Sequence, residues 1–180
     1  LTLQRLDGAA LLWRLRLLGA DIGARWADLA QGWDLTPRDA GHSAFNDAHA
    51  LMTLIGTGDT AAAQALLAAV QRRAERGSES NAAMAREVGL PLMRGLLAFE
   101  AGDAAGAIAL LAPLRETAHR FGGSHAQRDL IELTLLAACA RPGGSRTLGR
   151  ALLNERLLAR GETPQVAHWR ERLLVHTATP

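Results

Sequence analysis

Apolar positions recur at helical spacing along almost the whole chain, and short runs of Gly, Pro, Asp and Ser interrupt them. A first period runs through Leu3, Leu6, Leu11, Leu15 and Leu18, and Gly19 stops it. Asp21 is placed to cap a short second helix carrying Ile22, Trp26 and Leu29. A connection containing Pro37 spans Gly32 to Gly41, and a helix follows from about Ser43 to Thr57. Gly58-Asp59-Thr60 makes a tight turn into a helix that carries Ala63, Leu66, Leu67 and Val70 and ends near Arg76. Gly77-Ser78-Glu79-Ser80 reads as a linker, with Asn81 as a cap. Pro91 falls inside the next apolar pattern. A proline costs about 3 kcal/mol in a helix interior. The pattern therefore predicts a short helix ending by Gly89 and a new one from about Pro91 to Ala101; a single kinked helix is the alternative. After Gly102-Asp103 a helix runs to about Arg120, and Gly122-Gly123 breaks it. Ser124 caps a helix to about Ala140, Ser145 caps one to about Arg160, and Pro164 opens a last amphipathic helix with Trp169, Leu173 and Leu174.

Two of these joints repeat. Gly58-Asp59 and Gly102-Asp103 stand 44 residues apart, each after an apolar helix and before an Ala-rich one. A helix, a Gly-Asp turn and a second helix make a hairpin, and stacked hairpins share a continuous core. Ala and Gly at the crossings let helices approach to roughly 8–10 Å. The expected fold is all-α, a right-handed α-solenoid of tetratricopeptide-like helical hairpins. The hairpins fall at about 3–33, 43–76, 81–120 and 124–160, with a terminal helix over 164–175, in a single domain.

Composition agrees. Of 180 residues, 36 are Ala and 32 are Leu, while Tyr is absent, which leaves too few β-branched and aromatic residues for an all-β domain. The single cysteine, Cys139, excludes an internal disulfide, and its apolar surroundings predict a buried, inert thiol. All 20 basic residues are Arg, and the formal charge is only +2. With no basic run and no long apolar segment, neither nucleic acid nor membrane is an expected partner, and the expected location is cytoplasmic. The chain opens at Leu1 in a pattern that already reads as helix, so a fragment of a longer protein is expected. A second copy pairing through Leu1 to Leu18 is then one possible partner, a homodimer.

Two polar strings carry the candidate chemistry. Phe45-Asn46-Asp47-Ala48-His49-Ala50-Leu51-Met52 and Gly122-Gly123-Ser124-His125-Ala126-Gln127-Arg128-Asp129 resemble signature strings of the tetratricopeptide repeat protein 38 family. Leu11-Leu12-Trp13-Arg14-Leu15 and Asn154-Glu155-Arg156 are similar to that family's pattern too, so the resemblance covers about Ala9 to Trp169. It implies an α-solenoid of helical hairpins, with this chain matching the C-terminal half of longer members. It implies no reaction and no ligand.

His42, Asn46 and His49 have i, i+4, i+7 spacing, as do His125, Asp129 and Glu132, with Arg128 beside the second set. If both strings open first helices of hairpins, the two stripes face one concave groove. The candidate binding residues are Asn46, Asp47, His49, His125, Arg128 and Asp129. Arg128 offers a fixed charge for a carboxylate or phosphate, and the amide and imidazoles offer directional hydrogen bonds. The competing reading is structural: Arg128 with Asp129 or Glu132 forms a packed ion pair that fixes hairpin register. Another alternative is an enzyme, hydrolase-like or otherwise, using His49 or His125 as general base beside Asp47 or Asp129. No catalytic residue is assigned. No two His stand at the i, i+4 spacing of a helical metal pair, and no phosphate or dinucleotide loop occurs, so no metal and no cofactor are expected. Trp13, Trp26, Trp33 and Trp169 read as core. The expected function is a binding or scaffold protein that receives a protein, a peptide or a small polar ligand on its concave face.

Overall fold

The computed structural model describes residues 2–35, 40–77 and 80–174. Pro37, Ser78, Glu79 and Val175, on which the sequence places a connection, a linker and the last helix end, lie outside them. Among the described residues all regular structure is helical: α1 (Thr2–Leu17), α2 (Arg25–Ala30), α3 (Ala44–Thr57), α4 (Thr60–Arg76), α5 (Ser80–Met84), a π-helical turn (Ala85–Gly89), α6 (Leu90–Glu100), α7 (Ala104–Leu111), α8 (Leu114–Thr117), a 3-10 turn (Ala118–Phe121), α9 (His125–Ala140), α10 (Arg146–Arg160) and α11 (Pro164–Leu174).

The repeated Gly-Asp joints have one geometry. Gly58 and Gly102 sit at φ +77° and +80°, a left-handed conformation that strains any residue with a Cβ. In the first turn the Gly58 N–H bonds Ile55 O and the Asp59 N–H bonds Leu54 O; in the second, Gly102 bonds Phe99 O and Asp103 bonds Ala98 O. This is the Schellman pattern that closes a helix C-terminus. The aspartate then caps the following helix, Asp59 Oδ1 accepting from Ala62 N at 2.9 Å and Asp103 Oδ1 from Gly106 N at 2.8 Å. Ser124 and Ser145 cap α9 and α10 as their sequence positions predict. Asp21 does not cap α2; its carboxylate accepts from Gly23 N in a turn ahead of the helix. Asn81 lies inside α5 rather than capping it.

Pro91 does not split its helix. α5, the π turn and α6 run on without a break, and Met84, Gly89 and Leu90 all keep right-handed helical dihedrals. Pro91 has no N–H for the Glu87 carbonyl, and its ring crowds that oxygen. Widening the preceding turn by one residue relieves both, so the kinked single helix replaces the predicted break. Pro113 acts more severely. The helix expected to reach Arg120 stops at Leu111 and resumes as the short α8 and the 3-10 turn.

The pairs α3–α4, α6–α7 and α9–α10 pack as antiparallel neighbours, and α3 also meets α6, which meets α9. Glycine allows close crossings: a Cβ on Gly56 would come within 2.1 Å of the Trp26 ring, and one on Gly89 within 2.8 Å of Ala44 Cβ. α1 packs against both α3 and α9. The buried face only partly coincides with the leucine stripe. Leu3 and Leu11 are 73% and 55% exposed, whereas Leu6, Ala9, Ala10, Leu12, Trp13 and Leu17 are buried. Trp13 sets this face: its indole N–H donates to Thr134 Oγ1 of α9 at 3.0 Å, and its ring lies 6.3 Å from that of Phe99 at the end of α6. Arg16 pairs with Glu100 at 2.6 Å, and Gln127 Nε2 donates to Asp7 at 2.8 Å.

Candidate functional site

The first polar string divides between two environments. Ser43 is the N-cap of α3, its hydroxyl accepting from Asn46 N. His42 therefore precedes the helix, and the i, i+7 spacing that would align it with His49 does not apply. His42 and Asn46 instead line one cavity of about 420 Å³, with Arg5 from α1, Trp33 and Asp47. The Asn46 side chain is exposed there and has no hydrogen-bond partner among the described residues. Asp47 is buried, its Oδ2 accepting the Gly41 N–H at 3.0 Å. Burial pushes its pKa up to about 6, against the pull of the Gly41 N–H and the Arg73 charge. Arg73 Nη2 also reaches His42 Nδ1 at 3.2 Å.

His49 turns away under α1 and is 0% exposed. Its Nδ1 bonds Phe45 O at 2.7 Å, so Nδ1 carries the proton and Nε2 is left as a buried acceptor without a donor. Burial lowers its pKa, offset in part by the Phe45 carbonyl and by Asp7 of α1. The imidazole is thus neutral and enclosed.

The second string stays together. His125, Arg128, Asp129 and Glu132 line a cavity of about 220 Å³ with Arg115. It shares no residue with the first cavity, and α1 packs against both α3 and α9, so the single groove expected for the two stripes is not formed. Nor does Arg128 pair with Asp129 or Glu132. It donates to the carbonyls of Gly122 and Gly123, bracing the turn before α9. The partner of Asp129 is Arg156 of α10, bidentate at 2.6 and 2.7 Å. Arg156 also donates to Glu132 at 3.0 Å and to Gln165 of α11 at 2.8 Å, and Arg160 joins Asp129 at 3.0 Å. Burial raises the Asp129 pKa, but the Arg156 hydrogen bonds and the charges of Arg156, Arg160 and Arg14 outweigh it and hold the carboxyl below its ordinary value. Among the described residues neither His49 nor His125 is hydrogen-bonded to a carboxylate. No group of three or more His, Cys, Asp or Glu among them could hold a metal. No described helix is long and apolar enough to cross a membrane.

Sequence reasoning missed Arg156, although a signal exists. It sits on α10 in register with Gly149, Leu152 and Leu153, the buried face of that helix. A charge on an apolar stripe demands a partner, and Asp129 on the preceding helix supplies it. Cys139 is buried as expected, and burial pushes its thiol up to about 11. No protein-family profile matches the chain, and no solved structure matches it significantly. The all-helical architecture and these two cavities therefore carry the functional reading.

Proposed function

We propose that this chain is a tetratricopeptide-type binding protein, an α-solenoid of helical hairpins related to the tetratricopeptide repeat protein 38 family. Its ligand is a small polar molecule or a peptide group taken into the cavity beside Asn46. One observation carries the reading: of the six candidate residues, Asn46 presents an unpartnered side-chain amide to the larger of the two cavities they line. Asp47, Arg128 and Asp129 already spend their hydrogen-bonding capacity on the fold, and His49 is enclosed. Such an amide donates and accepts at once, and Arg5 and Ser43 beside it add a charge and a hydroxyl. The recurrent Gly-Asp hairpin turns support the solenoid. The enzyme alternative has less support, because general-base catalysis needs a base within reach of the substrate proton: His49 is sealed, and His125, though exposed, is hydrogen-bonded to no carboxylate among the described residues.

The test is a thermal-shift screen of small amides, amino acids and short peptides on the wild type, Asn46→Ala and Arg128→Ala. The reading expects at least one compound that stabilises the wild type and Arg128→Ala but not Asn46→Ala. Arg128→Ala itself should melt several degrees lower, as a brace would. A screen without hits, or hits indifferent to Asn46, would end the proposal.

A further inference from the structure

A further recess lies where α1, α6, α9 and α11 meet. It encloses about 140 Å³ and is lined by Arg16, Phe99, Arg141, Trp169 and Arg172. Three guanidiniums thus line the recess, with one carboxylate beside them, Glu100, which is held by Arg16 at 2.6 Å and also acts on Arg141.

Part of this charge has a structural purpose. Arg16 stands in the last turn of α1, where a cation offsets the helix dipole. Arg141 donates to the Phe99 carbonyl at the end of α6 and stacks on the Phe99 ring at 3.4 Å. Two groups remain unaccounted for. Among the described residues the Arg172 guanidinium has no carboxylate partner; it lies over the Trp169 ring, 5.9 Å from its centroid. The Trp169 indole N–H is a buried donor with no acceptor among the described residues, on a side chain only 1% exposed. An orphaned buried donor costs about 1–3 kcal/mol, so its retention beside surplus positive charge points to an acceptor that arrives from outside.

We propose that this recess binds a compact tetrahedral oxyanion, phosphate or sulfate. The donors come from α1, the end of α9 and α11; Arg16 and Arg141 are each engaged on one side, by Glu100 and by the Phe99 carbonyl, while the Arg172 guanidinium and the Trp169 indole N–H have no acceptor among the described residues. That arrangement fits an anion with oxygens pointing in several directions better than a planar carboxylate, which a single guanidinium fork satisfies. The volume admits one such group and no nucleoside. The site is independent of the cavity at Asn46, so either can fail without the other.

Titration of the protein with inorganic phosphate, sulfate and acetate, at ionic strength held constant with chloride, tests this. The readout is the indole N–H resonance of Trp169, assigned by its loss in Trp169→Phe. Phosphate or sulfate should move that resonance saturably, and acetate should not. Arg172→Ala, at an exposed residue without a partner, should keep the fold and weaken binding about tenfold, the loss of one charge-assisted hydrogen bond. No saturable movement, acetate matching phosphate, or Arg172→Ala titrating like the wild type would overturn the proposal.

Discussion

Asp47 shows how a single side chain can set a pH dependence. Its pKa rises from 3.8 to about 6 because folding removes the carboxylate from water faster than Gly41 and Arg73 compensate. The folded state then holds the proton more tightly than the unfolded chain. This group therefore favours folding below its unfolded pKa, and that contribution is lost as the pH climbs from 3.8 to about 6. The change corresponds to about 3 kcal/mol at most. Asp47→Asn keeps an oxygen for the Gly41 N–H and removes the charge. Urea unfolding should show the variant more stable than the wild type above about pH 6 and level with it below about pH 4. An equal gap at both pH values would show that the charge is not the cause. His49 works in the opposite sense: burial lowers its pKa, so its contribution is present at neutral pH and fades as the pH drops through 6.5.

Between elements, the ion network around Arg156 fastens α9, α10 and α11 to one another. Arg156 is 3% exposed and bonds Asp129, Glu132 and Gln165. Arg156→Ala leaves Asp129 with Arg160 alone and should cost about 3 kcal/mol, read from denaturant unfolding. Arg160→Ala, at a half-exposed residue, should cost less than about 1 kcal/mol. Similar costs for both would mean that burial does not govern the network. Much at this scale was legible beforehand. The Gly-Asp turns and the Ser124 and Ser145 caps follow from local backbone chemistry, which short strings encode. What escaped depends on a choice between local options. Pro91 can break a helix or widen it, and neighbours such as Ala44, pressed onto Gly89, favour continuity.

Across the whole molecule, the decisive feature is the seat of α1. Periodicity assigns a helix there, but not its neighbours. Of the leucine stripe, Leu3 and Leu11 stay exposed, and the buried face is completed by Trp13, Ala9 and Ala10 beside Leu6. The candidate site suffered for the same reason. Spacing placed His42 with His49 and Asn46 opposite Arg128, but α1 packs against α3 and α9, and the residues went to separate surroundings. Trp13→Ala should destabilise the protein by about 3–5 kcal/mol, whereas Trp13→Phe, which loses chiefly the bond to Thr134, should cost about 1–2 kcal/mol. If calorimetry finds both substitutions mild, α1 is an ornament rather than a member of the core.

The bond from Trp13 to Thr134 spans 121 positions along the chain. During synthesis α1 emerges well before α9, yet one of the surfaces it rests on is finished only after α9 has emerged. Throughout that interval the indole of α1 has no final resting place, so the nascent chain must wait, and a chaperone that recognises apolar helices has a long opportunity there.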